Sequence, residues 1–397
     1  MNTKATSKQK RRRLLLTGGR APATLELARL MRAAGHEVFV AESLRAHLCR
    51  HSRAVTSSFE VPSPREDRAG FIAALADILV RQRIDYLIPT CEEVFHVAWG
   101  RKTLSEHAQV FAPSLEQLRV LHSKWDFIKL LEGLDFLTPE TWRLQAPEDV
   151  LDVIGPLAAG ERLVFKPVFS RFAAKVRFYT AGEDTRDLPR PSPQEPWVAQ
   201  RFIAGTPYCT YGVAREGRLT AHAVYPSIFT AGQGATIHFQ AIAHPRIEAW
   251  VSRLVAALGY TGQIAFDFIE TSEGELYPLE CNPRATSGVH LFRPKDRLDG
   301  AFFGEASEPL RPQAKRAAML SLAMGLYGLP SVRSLRQLGA WGKAIITSRE
   351  ILFDWKDPLP ALGQMTALAE LWRTSRREGI SLLEASTWDI EWNGEDA

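Results

Sequence analysis

Hydrophobic residues fall in short blocks punctuated by glycine, proline and polar runs, and the period switches between two and about 3.6. Leu14-Leu15-Leu16-Thr17 is an apolar run of strand length, Gly18-Gly19-Arg20-Ala21-Pro22 reads as a turn, and Leu25, Ala28, Leu30 and Met31 then recur at helical spacing. Gly35 stops that helix, and Val38-Phe39-Val40 begins another strand. Strand, glycine turn, helix, strand predicts a parallel sheet joined by a crossover helix. A helix over 69–83 and a strand over 86–89 continue the pattern, and 110–113 closes this first domain. Further on, 163–167, 196–203, 211–214 and 219–224 read as strands, and 247–258 as a helix. Residues 182–196 are polar and proline-rich and read as a connection. After His290 the pattern turns helical, most clearly over 313–326.

The most informative stretch is 262–290, GQIAFDFIETSEGELYPLECNPRATSGVH. Ile264, Phe266 and Phe268 take one face of a strand, and Ala265, Asp267 and Ile269 the other. The returning strand, 275–282, puts Leu276, Glu280 and Asn282 on one face. A two-residue turn at Glu273-Gly274 pairs Asp267 with Glu280, with Cβ atoms roughly 4.5–5.5 Å apart. Two carboxylates so placed repel unless a cation lies between them. With the amide oxygen of Asn282 they form a hard oxygen set suited to Mg²⁺. Arg284 follows, a fork of donors for phosphate or carboxylate. The bland alternative is a hairpin with charges facing water; the phenylalanines around Asp267 and the Cys-Asn-Pro-Arg turn after Glu280 argue against it.

At 397 residues the chain has room for two or three domains, and 45% hydrophobic with 24% charged residues describes a soluble globular protein. No apolar run reaches the roughly 18 residues of a membrane span. Cys49, Cys91, Cys209 and Cys281 form neither metal spacing nor a disulfide framework, which fits a reducing cytoplasm. The net charge of +4 is concentrated in Lys4, Lys8, Lys10, Arg11, Arg12 and Arg13; without those six residues the rest is about −2, so no nucleic-acid surface is expected. The basic leader reads as a disordered segment without the apolar core of a secretory signal. The opening glycine turn lacks GxGxxG, so a nicotinamide site with Glu42 on the ribose is not expected.

Other residues carry candidate chemistry with a structural alternative beside each. Thr90 and Glu93 have capping-box spacing, yet Glu92 and Glu93 also follow a parallel strand, where α/β sheets place ligands. Arg20 sits in the first glycine turn. Lys166 interrupts an apolar strand, a costly place for a cation without a partner. His238 is either a polar strand residue or a substrate contact. Trp341, Trp355, Trp372, Trp388 and Trp392 argue for a folded cap at the end of the chain.

Asp267 followed by Glu280-Cys281-Asn282-Pro283-Arg284 resembles the metal-binding end of ATP-grasp enzymes, the superfamily of biotin carboxylase, D-alanine–D-alanine ligase and the carbamoyl-phosphate synthase large subunit. In closer detail, the phrases IPTCEEVF, HSKWDF, GQIAFDF and ECNPRATSGVH resemble carboxylate–amine ligases related to the carbamoyl-phosphate synthase group. The resemblance implies an α/β fold of α+β ATP-grasp type. Its expected parts are a disordered tail (1–13), a Rossmann-like domain (14–113), a two-subdomain ATP-grasp domain (114–300) and a mostly helical extension (301–397). It implies ATP and Mg²⁺, with Mn²⁺ as the alternative ion, held by Asp267, Glu280 and Asn282.

The same resemblance puts Lys124 and Lys166 on the phosphates, under a loop carrying Ser170, Arg171 and Lys175. Gln200, Arg201, Phe202 and Ile203 would line adenine, and Arg284, with Lys166, would serve catalysis. Substrates would meet Arg20, Glu92, Glu93, His238, Ser287 and His290. Two departures stand out: the phosphate loop lacks its usual glycines, and Pro207 and Tyr208 fill positions where relatives carry a ribose-binding glutamate. The expected activity is ligation of a small-molecule carboxylate to an amine, in the cytoplasm, with no nucleic acid or membrane as partner. A homodimer is left open, and so is a catalytically weak or inactive nucleotide sensor of the same fold.

Overall fold

The computed structural model describes residues 10–170, 175–232 and 235–394. The chain divides into two compact units, one formed by 1–112 with 355–390 and the other by 113–354 with 391–397.

The first unit is built on a parallel sheet. Its strands are β1 (Arg13–Thr17), β2 (Glu37–Glu42), β3 (Ser57–Glu60), β4 (Tyr86–Ile88) and β5 (Gln109–Val110), in the order β3-β2-β1-β4-β5. Leu14, Leu15 and Leu16 are fully buried because helices Pro22–Ala33 and Arg68–Arg81 bury apolar stripes against the sheet. Asp67 caps the second helix by accepting from the Gly70 amide at 2.8 Å. At the first turn Gly18 has φ +74° and lies so close to Cys91 that a Cβ would come within 2.8 Å of it, so only glycine fits.

Two expectations change here. Arg11 to Arg13 are not part of a solvated leader. Arg13 opens β1, Arg11 and Arg13 both pair with Glu37, and Arg13 also lies 4.9 Å over the Phe39 ring. Residues 1–9 lie outside the described residues. The segment 301–397 is also not one extension, since 355–390 joins the first unit. Helix Leu359–Glu378 is held there partly by Asp357 just before it. The Asp357 carboxylate accepts from Ser52 Oγ at 2.6 Å, the Arg53 amide at 2.8 Å and Arg29 Nε at 3.0 Å.

The second unit holds two antiparallel four-stranded sheets. One contains β6 (Thr141–Leu144), β7 (Arg162–Pro167), β8 (Arg177–Thr180) and β9 (Trp197–Arg201), in the order β6-β9-β7-β8. The other runs β11-β10-β15-β16, where β10 is Thr206–Arg215, β11 Arg218–Pro226, β15 Gly262–Glu270 and β16 Leu276–Asn282. Short strands β12 (Thr230–Ala231), β13 (Ala235–Thr236), β14 (His238–Gln240), β17 (Ala317–Met319) and β18 (Arg349–Glu350) complete the unit. The helix expected over 313–326 is replaced by β17, a three-residue helical turn and a five-residue π-helix. Ala317, Ala318 and Met319 pair antiparallel with β14 and are buried, so ladder and burial override helix propensity. Among the described residues no helix is long and apolar enough to cross a membrane.

The larger core joins Phe127, Ile128 and Leu131 of helix Lys124–Gly133 to Phe266, Phe268, Leu276 and Cys281 of the hairpin. Phe266 is the hub, with ring centroids 6.1 Å from Phe127 and 5.2 Å from Trp250. Phe266→Ala is expected to cost about 3–5 kcal/mol. Urea denaturation followed by circular dichroism reads this as an earlier transition of the second unit.

Candidate functional site

The hairpin β15–β16 places the acids. The strands pair Asp267 with Glu280, as the sequence predicts, but by a different route. The link spans 271–275, closed by the Gly274 amide on the Thr271 carbonyl at 3.0 Å, and Glu270, Ile269 and Phe268 face Leu276, Tyr277 and Pro278. A β-bulge then gives β16 one extra residue, Leu279, before Asp267 meets Glu280.

The longer turn and the bulge cancel in register but not in facing. Leu276 and Cys281 lie in the core with Phe266 and Phe268. Leu276 therefore does not share a face with Glu280 and Asn282, which follow the bulge and pair with Asp267 and Ala265. The bulge turns the two donors away from the core.

Leu279 has no partner in the ladder, and its carbonyl accepts from Lys166 Nζ of β7 at 3.1 Å. Lys166 Nζ also donates to Gln200 Oε1 at 3.0 Å, and Gln200 Nε2 donates to Thr141 Oγ1 at 3.1 Å. Gln200 thus aims a buried lysine that would otherwise be poorly satisfied. Burial, together with the neighbouring Lys124 ammonium, lowers the Lys166 pKa to about 8, although Glu280 and Asp267 pull it up.

Lys124 stands at the first turn of helix Lys124–Gly133, which Ser123 caps by accepting from the Asp126 amide at 3.1 Å. Its ammonium donates to Ser170 O at 3.0 Å and Ser170 Oγ at 3.1 Å and lies 3.5 Å from Glu280 Oε2. Both lysines therefore converge on the acid pair. Burial by itself would raise the Glu280 carboxyl; the ammonium groups of Lys124 and Lys166 outweigh it and hold Glu280 below the usual range. Burial and the adjacent Glu280 charge push Asp267 well above that range, and the two carboxyl groups share a hydrogen bond. Arg284 donates to Asn282 Oδ1 at 3.2 Å and to the Ala285 carbonyl at 3.3 Å.

The donor set is two facing carboxylates and an amide oxygen. Among the described residues no group of three or more His, Cys, Asp or Glu forms a metal cluster. Two acids suffice for Mg²⁺, which commonly completes its octahedron with phosphate and water. The repulsion that raises Asp267 beside Glu280 is what a divalent cation between them would relieve, so these residues fit the ion.

The remaining predicted residues are more dispersed. Arg201 pairs with Glu140 and Glu161 and lies 5.5 Å from the Trp142 ring centroid, while Arg162 packs over Phe202 at 3.9 Å. Ile203 follows β9 in irregular backbone, half-buried. Lys175 is exposed, and Arg171 lies outside the described residues. Ser287 opens a short 3₁₀ turn, and His290 at its far end stacks on Phe239 at 5.9 Å. His238 bonds Ser348 Oγ at 3.0 Å and packs edge-on to Phe229, as a polar strand residue does.

In the first unit Arg20 is buried between Glu42 and Asp389, which occupy its guanidinium. Glu93 Oε1 accepts from Thr17 Oγ1, the Thr90 amide and the Cys91 amide, half of the expected capping box, while its buried Oε2 has no hydrogen-bond partner among the described residues. Glu92 is buried as well. A cavity of about 470 Å³ in this unit, lined by Arg45, Arg50, Glu370 and Arg373 among others, includes none of the predicted site residues.

Sequence reasoning missed three contributors. Thr141 orients Gln200, Leu279 offers a main-chain carbonyl, and Cys209 lies opposite Asp267 in β10 and hydrogen-bonds its carboxyl. No local motif marks any of them; strand register alone brings them in.

No curated protein matches the chain in sequence. Residues 121–288 match the family model described as the ATP-grasp domain. Among solved structures, the chain resembles N5-carboxyaminoimidazole synthetase from Staphylococcus aureus complexed with ADP, at 15% identity and a TM-score of 0.62, over 80% of this chain and 85% of that one. It resembles the L-amino acid ligase from Bacillus licheniformis at 15% identity and 0.59, over 78% and 80%. A third likeness, at 13% identity and 0.54 over 70% and 65%, is to the biotin carboxylase domain of 2-oxoglutarate carboxylase from Hydrogenobacter thermophilus with MgADP and bicarbonate. At these identities the likeness is one of fold.

Proposed function

We propose, from the premise that residues 121–288 are an ATP-grasp domain, that this chain is an ATP-dependent ligase acting in the cytoplasm, which activates a carboxylate as an acyl phosphate and joins it to an amine. One observation carries the reading: a facing acid pair, Asp267 and Glu280, with the ammonium groups of Lys124 and Lys166 brought to it from the neighbouring sheet and helix. The ADP and MgADP held by neighbours of the same fold support it.

In this reading Lys124 and Lys166 bind the phosphates, Ser170 and Lys175 flank them, and 200–203 meet the adenine. Asp267, Glu280 and Asn282 would hold Mg²⁺, which when bound supplies charge neutralisation for the triphosphate. A substrate carboxylate oxygen attacks the γ-phosphorus, the bond from that phosphorus to the bridging oxygen breaks, and ADP leaves. Arg284 lies beside Asn282 and is assigned the charge on the transferring group, since phosphoryl transfer is catalysed mainly by positioning and charge stabilisation. The amine nitrogen then attacks the acyl carbon, phosphate departs, and the nitrogen sheds a proton to leave an amide. Ser287 and His290 remain candidates for the acid.

Mass spectrometry of the products of ATP, Mg²⁺ and a mixture of amino acids tests this. The expected result is ADP, phosphate and a new amide in equal amounts. One feature favours a sensor instead: Tyr208, where relatives carry the ribose glutamate, packs edge-on against His244 at 5.0 Å. Measurable ATP binding without phosphate release from any mixture would decide for the sensor.

A further inference from the structure

The end of the chain returns to the second unit and buries Trp392, which is 2% exposed. Its ring packs on Phe169 at 5.5 Å, nearly perpendicular, and on His122 at 6.4 Å, while Phe169 and His122 lie 5.8 Å apart. The Arg119 guanidinium lies 5.7 Å from the Trp392 ring centroid. Gly394 closes the cluster with φ +90°, and a Cβ there would come within 2.6 Å of the Phe169 ring.

These rings adjoin the two phosphate candidates in sequence. His122 ends helix Leu115–His122, and Lys124 begins the next helix two residues later. Phe169 immediately precedes Ser170. The two segments also run side by side, with the Lys124 amide donating to Val168 O at 3.1 Å and Lys124 Nζ to Ser170 O at 3.0 Å. A buried tryptophan that touches both neighbours fixes the spacing of the groups beyond them.

We propose that Trp392 is a positioning residue for the nucleotide: by clamping His122 to Phe169 it sets the distance between Lys124 and Ser170 at which both meet phosphate. This rests on the ATP-grasp ligase reading only as far as nucleotide binding there. It assigns the last described turn of the chain a role in affinity.

ADP titration by calorimetry in Mg²⁺ buffer tests the role without knowledge of the acid or amine. Trp392→Ala is expected to weaken ADP about tenfold or more, as losing the aim of one charge-assisted hydrogen bond would. Trp392→Phe, which keeps an aromatic wedge, is expected to stay within about threefold of wild type, and Met324→Ala, in a separate core cluster, to leave affinity unchanged. Should Trp392→Ala fail to fold, Gly394→Val decides, since its side chain displaces Phe169 without emptying the core. ADP binding by wild type with unaltered affinity in Trp392→Ala or Gly394→Val overturns the positioning role, as does an equal loss in Met324→Ala. Failure of wild type to bind ADP at all overturns the underlying nucleotide reading and the proposal with it.

Discussion

Glu280→Gln is expected to lower ATP turnover by more than about a hundredfold, the scale of removing one preorganised charged group from a phosphoryl-transfer site. The replacement keeps shape and a hydrogen bond to Asp267 but removes the charge that Lys124 and Lys166 hold in place. Phosphate release measures the rate, and circular dichroism confirms that the hairpin still folds. ADP affinity in Mg²⁺ should fall in parallel, because the lysines then meet phosphate without the ion that Glu280 would share. A variant that turns over within a few fold of wild type removes Glu280 from the machinery and with it the metal assignment.

Asp267→Asn is expected to abolish turnover as well, yet to stabilise the metal-free protein at alkaline pH. Burial and the Glu280 charge raise the Asp267 carboxyl to about 7 in the folded chain. The folded state therefore favours the protonated acid. The benefit is complete below the ordinary aspartate range and drains away as pH rises through about 7. Metal-free wild type should thus lose stability between about pH 4 and 7, while the asparagine variant lacks this slope. At about pH 4 the two should melt together, and at pH 8 the variant should melt higher by roughly 5 °C. Mg²⁺ with ADP should close the gap by stabilising wild type alone. Calorimetric melts at both pH values decide; identical slopes would mean that Asp267 is not strained by its neighbour.

Much of this was legible because it depends on local chemistry. Strand alternation around Asp267 and the stop at Gly35 are visible in residue type, and each marks a feature of the fold. The Asp267–Glu280 register was also legible, though two deviations from the assumed turn had to cancel. What stayed hidden depends on residues far apart in sequence. The strand Ala317–Met319 looks helical until His238 to Gln240 pairs with it. The division of the last hundred residues is settled by Arg29 meeting Asp357 and Arg20 meeting Asp389, pairs more than three hundred positions apart. Leu279 carries no mark of a bulge, since an aliphatic residue suits a regular strand equally well.

That extra residue makes the chemistry of the hairpin a matter of counting. Were Leu279 drawn into the ladder instead of bulging, it would face Asp267 and every later residue would move on by one place. Glu280 would then face Phe266 among the phenylalanines, and the thiol of Cys281 would come round to the side of the lysines. A slip of one residue would exchange a hard-oxygen surface for a soft-sulfur one, whereas losing Leu279 altogether would keep Asp267 opposite Glu280 and take away only the carbonyl that Lys166 meets.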